Sequence, residues 1–182
     1  MFLQKNNIFY YASNMANYKR IFLNGYSYFI TIVIHNREPL LVEHIDLLRI
    51  AFRLSMQRYG FSLDAIVILP DHLHMIITPK NASDYPKIVS HIKRSFVYGL
   101  DDDIKEKAKM TLQQSPYMRK RSGIWQKRYY EHTIRNEKDM AEKLQYMYHN
   151  PVKHGYVEEA DKWEYSSFFK SSSMHYNTIK IK

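Results

Sequence analysis

The chain has 182 residues, 45% of them hydrophobic, which suits a single globular domain with a proper core. It contains no cysteine, which excludes disulfides, zinc–thiolate centres and cysteine nucleophiles. Lys and Arg total 27 against 18 Asp and Glu, a net charge of +9, and there are 16 Tyr and 9 Phe besides. Cations displace phosphate counterions and flat rings stack on unpaired bases, so this balance points to a nucleic-acid partner, although an A+T-rich genome would inflate Lys and Tyr as well. The first residues, Met1 to Tyr11, lack the apolar run of a signal peptide, and no stretch approaches the ~18 apolar residues of a membrane span. A soluble, cytoplasmic (nucleoid-associated) protein with no membrane partner is expected.

In chain order, Tyr26–Ile34 is aromatic and β-branched and reads as a strand, ended by the polar turn His35–Pro39. Leu48, Ala51, Phe52, Ser55 and Tyr59 recur at helical spacing, with Gly60 as the terminator. Leu63–Leu69 and Leu73–Thr78 read as two strands joined tightly through Pro70 and Asp71, an antiparallel hairpin. Ser83-Asp84-Tyr85-Pro86 opens a helix whose Ile88, Ile92 and Phe96 face the core. Residues 101–122 are a charged insertion, read as a loop or partly helical flap. Trp125–Ile134 reads as a fourth strand. Asn136 caps a last helix, expected to stop near Asn150 because a residue before proline disfavours helical geometry.

Strand, helix, strand, strand, helix, strand, helix is the order of a ferredoxin-like antiparallel sheet, an α+β fold, with an added C-terminal helix. Residues 18–157 are expected to form the domain, with 1–17 an N-terminal extension and 158–182 a C-terminal extension. In that extension Trp163–Phe169 should pack back on the body, and the Ser/Lys tail beyond should fray.

The most informative pattern is His72-Leu73-His74. Alternation along a strand puts both imidazoles on one face, with Leu73 and Ile76 expected on the other. Two imidazoles are hard to satisfy in an apolar core, yet they make two legs of a divalent-metal site. On the last helix, Met140, Leu144, Met147 and Tyr148 are expected to share the apolar face. Tyr146, Asn150 and Lys143 then fall on a polar stripe beside it.

Three blocks carry a resemblance: Leu69-Pro-Asp-His-Leu-His-Met75, Trp125-Gln-Lys-Arg-Tyr-Tyr-Glu-His-Thr-Ile-Arg-Asn136 and Tyr146-Met-Tyr-His-Asn-Pro-Val-Lys-His-Gly-Tyr-Val157. They resemble, in order, the signature blocks of the REP-associated tyrosine transposases, within the HUH single-tyrosine (insertion-sequence-200-like) group. The resemblance runs from about Tyr18 to Phe168. It implies that His72, His74 and Asn150 hold a metal ion and that Tyr146 is the nucleophile. Tyr129 and Tyr130 are rivals for that role, although the family does not place its tyrosine there. The insertion at 101–122 is longer than the family pattern suggests.

A phenol ionising near pH 10 is a weak nucleophile at neutral pH and needs positive charge beside it. A His/amide ligand set without thiolates suits Mg²⁺ or Mn²⁺. The implied activity is cleavage and rejoining of single-stranded DNA at a hairpin, through a 5′-phosphotyrosine, by a monomer or homodimer. Lys93, Arg94, Arg119, Lys120, Arg121, Lys127 and Arg128 are the expected DNA grip. Two other readings are a non-catalytic hairpin-binding protein of the same fold and a metal-dependent phosphohydrolase. The latter usually needs carboxylate ligands, and none follows His74 before Asp84.

Overall fold

In a computed structural model, residues 22–112 and 122–169 are described. The histidine strand, β3 (His72–Pro79), lies between β2 (Phe61–Ile68) and β1 (Tyr28–Val33), with β4 (Tyr130–Thr133) on the outer side of β1. All three pairings are antiparallel, and the strand order β2-β3-β1-β4 is ferredoxin-like. The hairpin closes at Pro70-Asp71, where Leu69 N–H donates to the His72 carbonyl at 2.8 Å.

Period-two alternation sorts the side chains of the sheet into two layers. Tyr28, Ile30 and Ile32 of β1, Ile66 and Ile68 of β2, and Leu73, Met75 and Ile77 of β3 form the larger core. Two helices cover it: α2 (Ile45–Tyr59), which follows the short α1 (Leu40–Glu43), and α3 (Tyr85–Gly99). Leu48, Ala51, Phe52 and Ser55 are buried on α2, and Ile88, Ile92 and Phe96 on α3, as the spacing predicts. Truncating a ring such as Phe96 to alanine here would cost about 3–5 kcal/mol. Gly60 stops α2 at φ +56°, a left-handed conformation that glycine adopts without strain.

The other layer holds Phe29, Ala65, Val67, Leu69 and Ile76, covered by Met147 of α5 (Glu137–Lys153) and flanked by Trp163 and Phe168. Ile76 thus shares the face of His72 and His74 and not that of Leu73, because 72, 74 and 76 have the same parity. The C-terminal segment packs back as expected. Ile68 N–H donates to the Tyr165 carbonyl and Ser167 N–H to that of Ile66, adding backbone pairing to the free edge of β2. The tail from residue 170 and residues 1–21 lie outside the described residues.

The charged insertion is partly helical, beginning with α4 (Asp102–Met110), with Asp102 and Asp103 in its first turn and Lys107 and Lys109 in its last, each matched to the helix dipole. Two expectations need correction. The fourth strand is shorter than 125–134 and starts only at Tyr130, since the preceding segment makes just one isolated bridge, Trp125 with Ile34. Asn136 caps α5 by accepting from Asp139 N–H at 2.9 Å. The helix, however, runs through Pro151 to Lys153. The proline removes one donor, but His154 N–H still reaches the Asn150 carbonyl at 3.1 Å, so the last turn survives.

Candidate active site

On β3 the His72 and His74 rings lie 5.1 Å apart between centroids and face α5. Each ring is fixed through its Nδ1. His72 Nδ1 is 2.6 Å from Asp71 Oδ1, and His74 Nδ1 is 2.7 Å from Thr31 Oγ1 on the neighbouring strand. Thr31 stands directly opposite His74 in the β1–β3 register, which puts both side chains on one face. A carboxylate on Nδ1 favours the tautomer with a proton there, leaving Nε2 as the acceptor that could bind a cation.

Both Nε2 atoms are buried without a hydrogen-bond partner, and so are Oδ1 and Nδ2 of Asn150. The three residues are 2%, 3% and 1% exposed, respectively. An unsatisfied buried polar atom costs about 1–3 kcal/mol, so four in one place need a ligand to explain them. No group of three or more His, Asp or Glu with metal-binding geometry exists among the described residues; the third arm here would be an amide. A neutral donor set of two imidazole nitrogens and an amide oxygen, with positions left open, fits Mg²⁺ or Mn²⁺ bound together with phosphate oxygens. Burial, with the charges of Lys153 and Arg37 adding to it, holds the His74 imidazole well below its ordinary pKa and therefore neutral.

Tyr146 lies one turn before Asn150 on α5. Its ring is edge-on to His74 (5.1 Å, 78°) and to Phe29 (6.0 Å, 80°). Burial pushes its phenol up, with the nearby Asn150 amide opposing this in part, although that amide makes no hydrogen bond of full geometry. Lys153, two turns along, puts its Nζ 5.7 Å from the centroid of the Tyr146 ring.

The assignment of helix faces is corrected here. The buried stripe of α5 centres on Met147, Asn150 and Pro151. At about 100° per residue, Tyr146 and Tyr148 then fall on opposite shoulders of that stripe. Tyr146 packs against the sheet, whereas the half-buried Tyr148 meets the ring of Phe168 at 5.7 Å. Of the rival tyrosines, Tyr129 packs against the α2/α3 core, and Tyr130 pairs with Thr31 on the histidine face, 6.2 Å from the Phe29 ring.

Sequence reasoning missed His154, whose ring lies 5.2 Å from His72, and Arg37, whose Nη1 is 2.9 Å from Asp71 Oδ2. Only the unexpected last turn of α5 and the turn after β1 bring them there. The expected DNA grip falls elsewhere. Lys93 and Arg94 sit on α3, which covers the opposite face of the sheet. Lys93 Nζ donates to the Gln126 carbonyl at 2.8 Å, and burial pushes its pKa down to about 8. Lys127 and Arg128 follow that contact in sequence and are exposed. Arg119, Lys120 and Arg121 lie outside the described residues.

The family described as "Transposase IS200 like" matches residues 23–150, a span holding both histidines, Tyr146 and Asn150. The chain belongs to this family. It is 41% identical over 158 residues to a Haemophilus influenzae protein assigned to the REP-associated tyrosine transposases, covering 86% of this chain and 87% of that one. It is 32% identical over 160 residues to the REP-associated tyrosine transposase of Escherichia coli K12, covering 86% and 84%. The solved structure of a REP-associated tyrosine transposase bound to a REP hairpin superposes with a TM-score of 0.69 at 31% identity, covering 85% of this chain and 83% of that chain. The α+β fold with its four-stranded antiparallel sheet is therefore that of this transposase family. No helix among the described residues is long and apolar enough to cross a membrane.

Proposed function

We propose that this member of the transposase family is a metal-dependent single-stranded DNA endonuclease and strand transferase, acting at hairpin-bearing DNA through a 5′-phosphotyrosine. The observation that carries the reading is the set of unpartnered buried atoms on His72, His74 and Asn150 beside the ring of Tyr146. The Tyr146 hydroxyl is the nucleophile. It loses its proton and attacks the scissile phosphorus, forming the Oη–P bond. The P–O3′ bond breaks, and the leaving oxygen takes up a proton to become a free 3′-OH. The 3′-OH of another end then attacks the phosphotyrosine, restoring a phosphodiester and the phenol, so the bond energy is kept and strands are exchanged instead of hydrolysed.

His72, His74 and Asn150 would hold Mg²⁺ or Mn²⁺, which when bound offsets the charge that builds on the phosphate and on the leaving oxygen. The Lys153 ammonium beside the Tyr146 ring supplies the positive charge that a phenolate needs, against the burial that opposes ionisation. Lys93, Arg94, Lys127 and Arg128, together with Arg119, Lys120 and Arg121, are assigned to gripping the hairpin.

The test is incubation with Mn²⁺ and a hairpin oligonucleotide labelled on its 3′ side. A protein–DNA band that survives denaturation and maps to a peptide with modified Tyr146 is expected. Hairpin binding with no adduct under any metal would replace this reading with that of a non-catalytic hairpin-binding protein.

A further inference from the structure

Beyond the tyrosine and the histidines, the turn after β1 carries a feature that neither packing nor the metal set uses. Asn36 and Arg37 adopt φ of 60° and 61° in succession. Asparagine tolerates the left-handed region; arginine, with its Cβ against the following carbonyl, does not. Such a conformation at a non-glycine position persists where the surroundings require the side chain to be there.

The guanidinium is held by one donor only. Arg37 Nη1 meets Asp71 Oδ2 at 2.9 Å, while Asp71 Oδ1 takes His72 Nδ1. The 3.4 Å approach of Nη1 to His72 Nδ1 therefore brings two donors together and is not a bond between them. The pair with Asp71 is monodentate, so most of the planar fork remains available. Its other donors have no partner among the described residues, and the side chain is 37% exposed. The charge of Arg37 is felt at both His74 and His154, which it helps to hold neutral. A half-exposed cation with an open fork, anchored beside two imidazoles, is built for an anion.

We propose that Arg37 is a phosphate-binding residue, presenting its free guanidinium donors to a backbone phosphate of the DNA strand that lies across His72 and His74. Asp71 thereby serves two functions, orienting His72 and aiming Arg37. The proposal rests on the nucleic-acid reading above but needs no covalent step.

The test uses the full chain in a Tyr146→Phe background, with Mn²⁺ and a hairpin oligonucleotide bearing a single-stranded flank, read by fluorescence anisotropy across a salt series. Arg37→Gln should weaken binding about tenfold and reduce the slope of log K against log salt by about 0.7, one single-strand phosphate contact. Arg37→Lys should keep the slope. Arg37→Gly suits the left-handed backbone, so it should fold at least as stably as the parent and bind like Arg37→Gln. A neutral methylphosphonate placed at successive flank positions should, at one position, weaken the parent but not Arg37→Gln. Mn²⁺ affinity without DNA should stay within about threefold, which a residue acting only through Asp71 and His72 would not allow. An unchanged salt slope in Arg37→Gln, or weaker Mn²⁺ binding with unchanged DNA binding, overturns the proposal. The Tyr146 protein forming no adduct while Arg37→Gln still changes the slope would instead remove the catalytic reading alone.

Discussion

The ring of Tyr146 stands edge-on to the imidazole of His74, 5.1 Å between centroids and 78° between planes. One belongs to α5 and the other to the central strand β3, so their distance is set by the packing of Met147 on the Phe29, Val67 and Ile76 layer. The proposed nucleophile and the proposed metal-binding face are held together by an apolar seam.

Tyr146→Phe should abolish the covalent adduct while hairpin affinity stays within about twofold and stability within about 0.5 kcal/mol, because only a hydroxyl is removed. Tyr148→Phe should leave cleavage unchanged, since Tyr148 rests on Phe168 on the far shoulder of the helix. Peptide mapping of the adduct decides it; DNA linked to Tyr130, which shares the histidine face, would reassign the nucleophile.

Asp71→Asn should weaken Mn²⁺ binding by about 10–100-fold, the usual penalty for removing a group that orients a ligating histidine. His74→Ala should remove binding altogether. Isothermal titration of the DNA-free protein gives both constants. Saturation at 100 times Kd should also raise the stability of the parent by about 2.7 kcal/mol, and that of His74→Ala not at all. Equal Mn²⁺ stabilisation of both proteins would place the metal elsewhere.

Lys153→Gln should slow single-turnover cleavage on the order of tenfold, with Lys153→Arg restoring most of the rate, because a cation beside the phenol favours its ionisation. Hairpin affinity is the control, since Lys153 is not among the residues assigned to the hairpin. A Gln variant cleaving at the parental rate would show that the ammonium does not assist Tyr146.

Acidification should destabilise the metal-free protein through His74. In the unfolded chain this imidazole takes up a proton near pH 6.5; the buried ring in the native state does not. The unfolded state then binds more protons, so the stabilisation present above pH 6.5 is lost as pH falls below it, at no more than about 1.4 kcal/mol per pH unit. Urea unfolding at pH 7.5 and 5.5 should show a smaller drop for His74→Gln than for the parent. Identical drops would mean that His74 is protonated in the fold.

Gly123→Ala should lower stability by about 1–3 kcal/mol. Gly123 has φ +78°, and an added Cβ would run into the Ala108 carbonyl of α4. The clash is with backbone, so relief requires α4 to move. Guanidinium unfolding measures the loss; a neutral result would show that α4 shifts freely against the following segment.

Much of this molecule was legible in the chain because it depends on local periodicity. Alternation fixed the shared face of His72 and His74, and helical spacing picked out the buried residues of α2 and α3; the order of elements then gave the sheet. The blocks around Tyr146 and Asn150 could be matched because they are contiguous. Period alone could not say where a face is centred. Met140, Leu144, Met147 and Tyr148 looked like one stripe; the first three do pack on the sheet layer, but the buried stripe also takes in Asn150 and Pro151, and that centring turns Tyr146 inward and Tyr148 away. Local rules also end a helix before proline. Here the turn beyond Pro151 survives on the bond from His154 to Asn150, and it delivers Lys153 to Tyr146 and His154 to His72. Arg37 reaches Asp71 through a backbone conformation its own side chain disfavours. Residue type and spacing determine which groups are available to a site. Which of them meet is decided by long-range packing, because burial of whole faces outweighs the fractions of a kilocalorie per residue that local preferences supply.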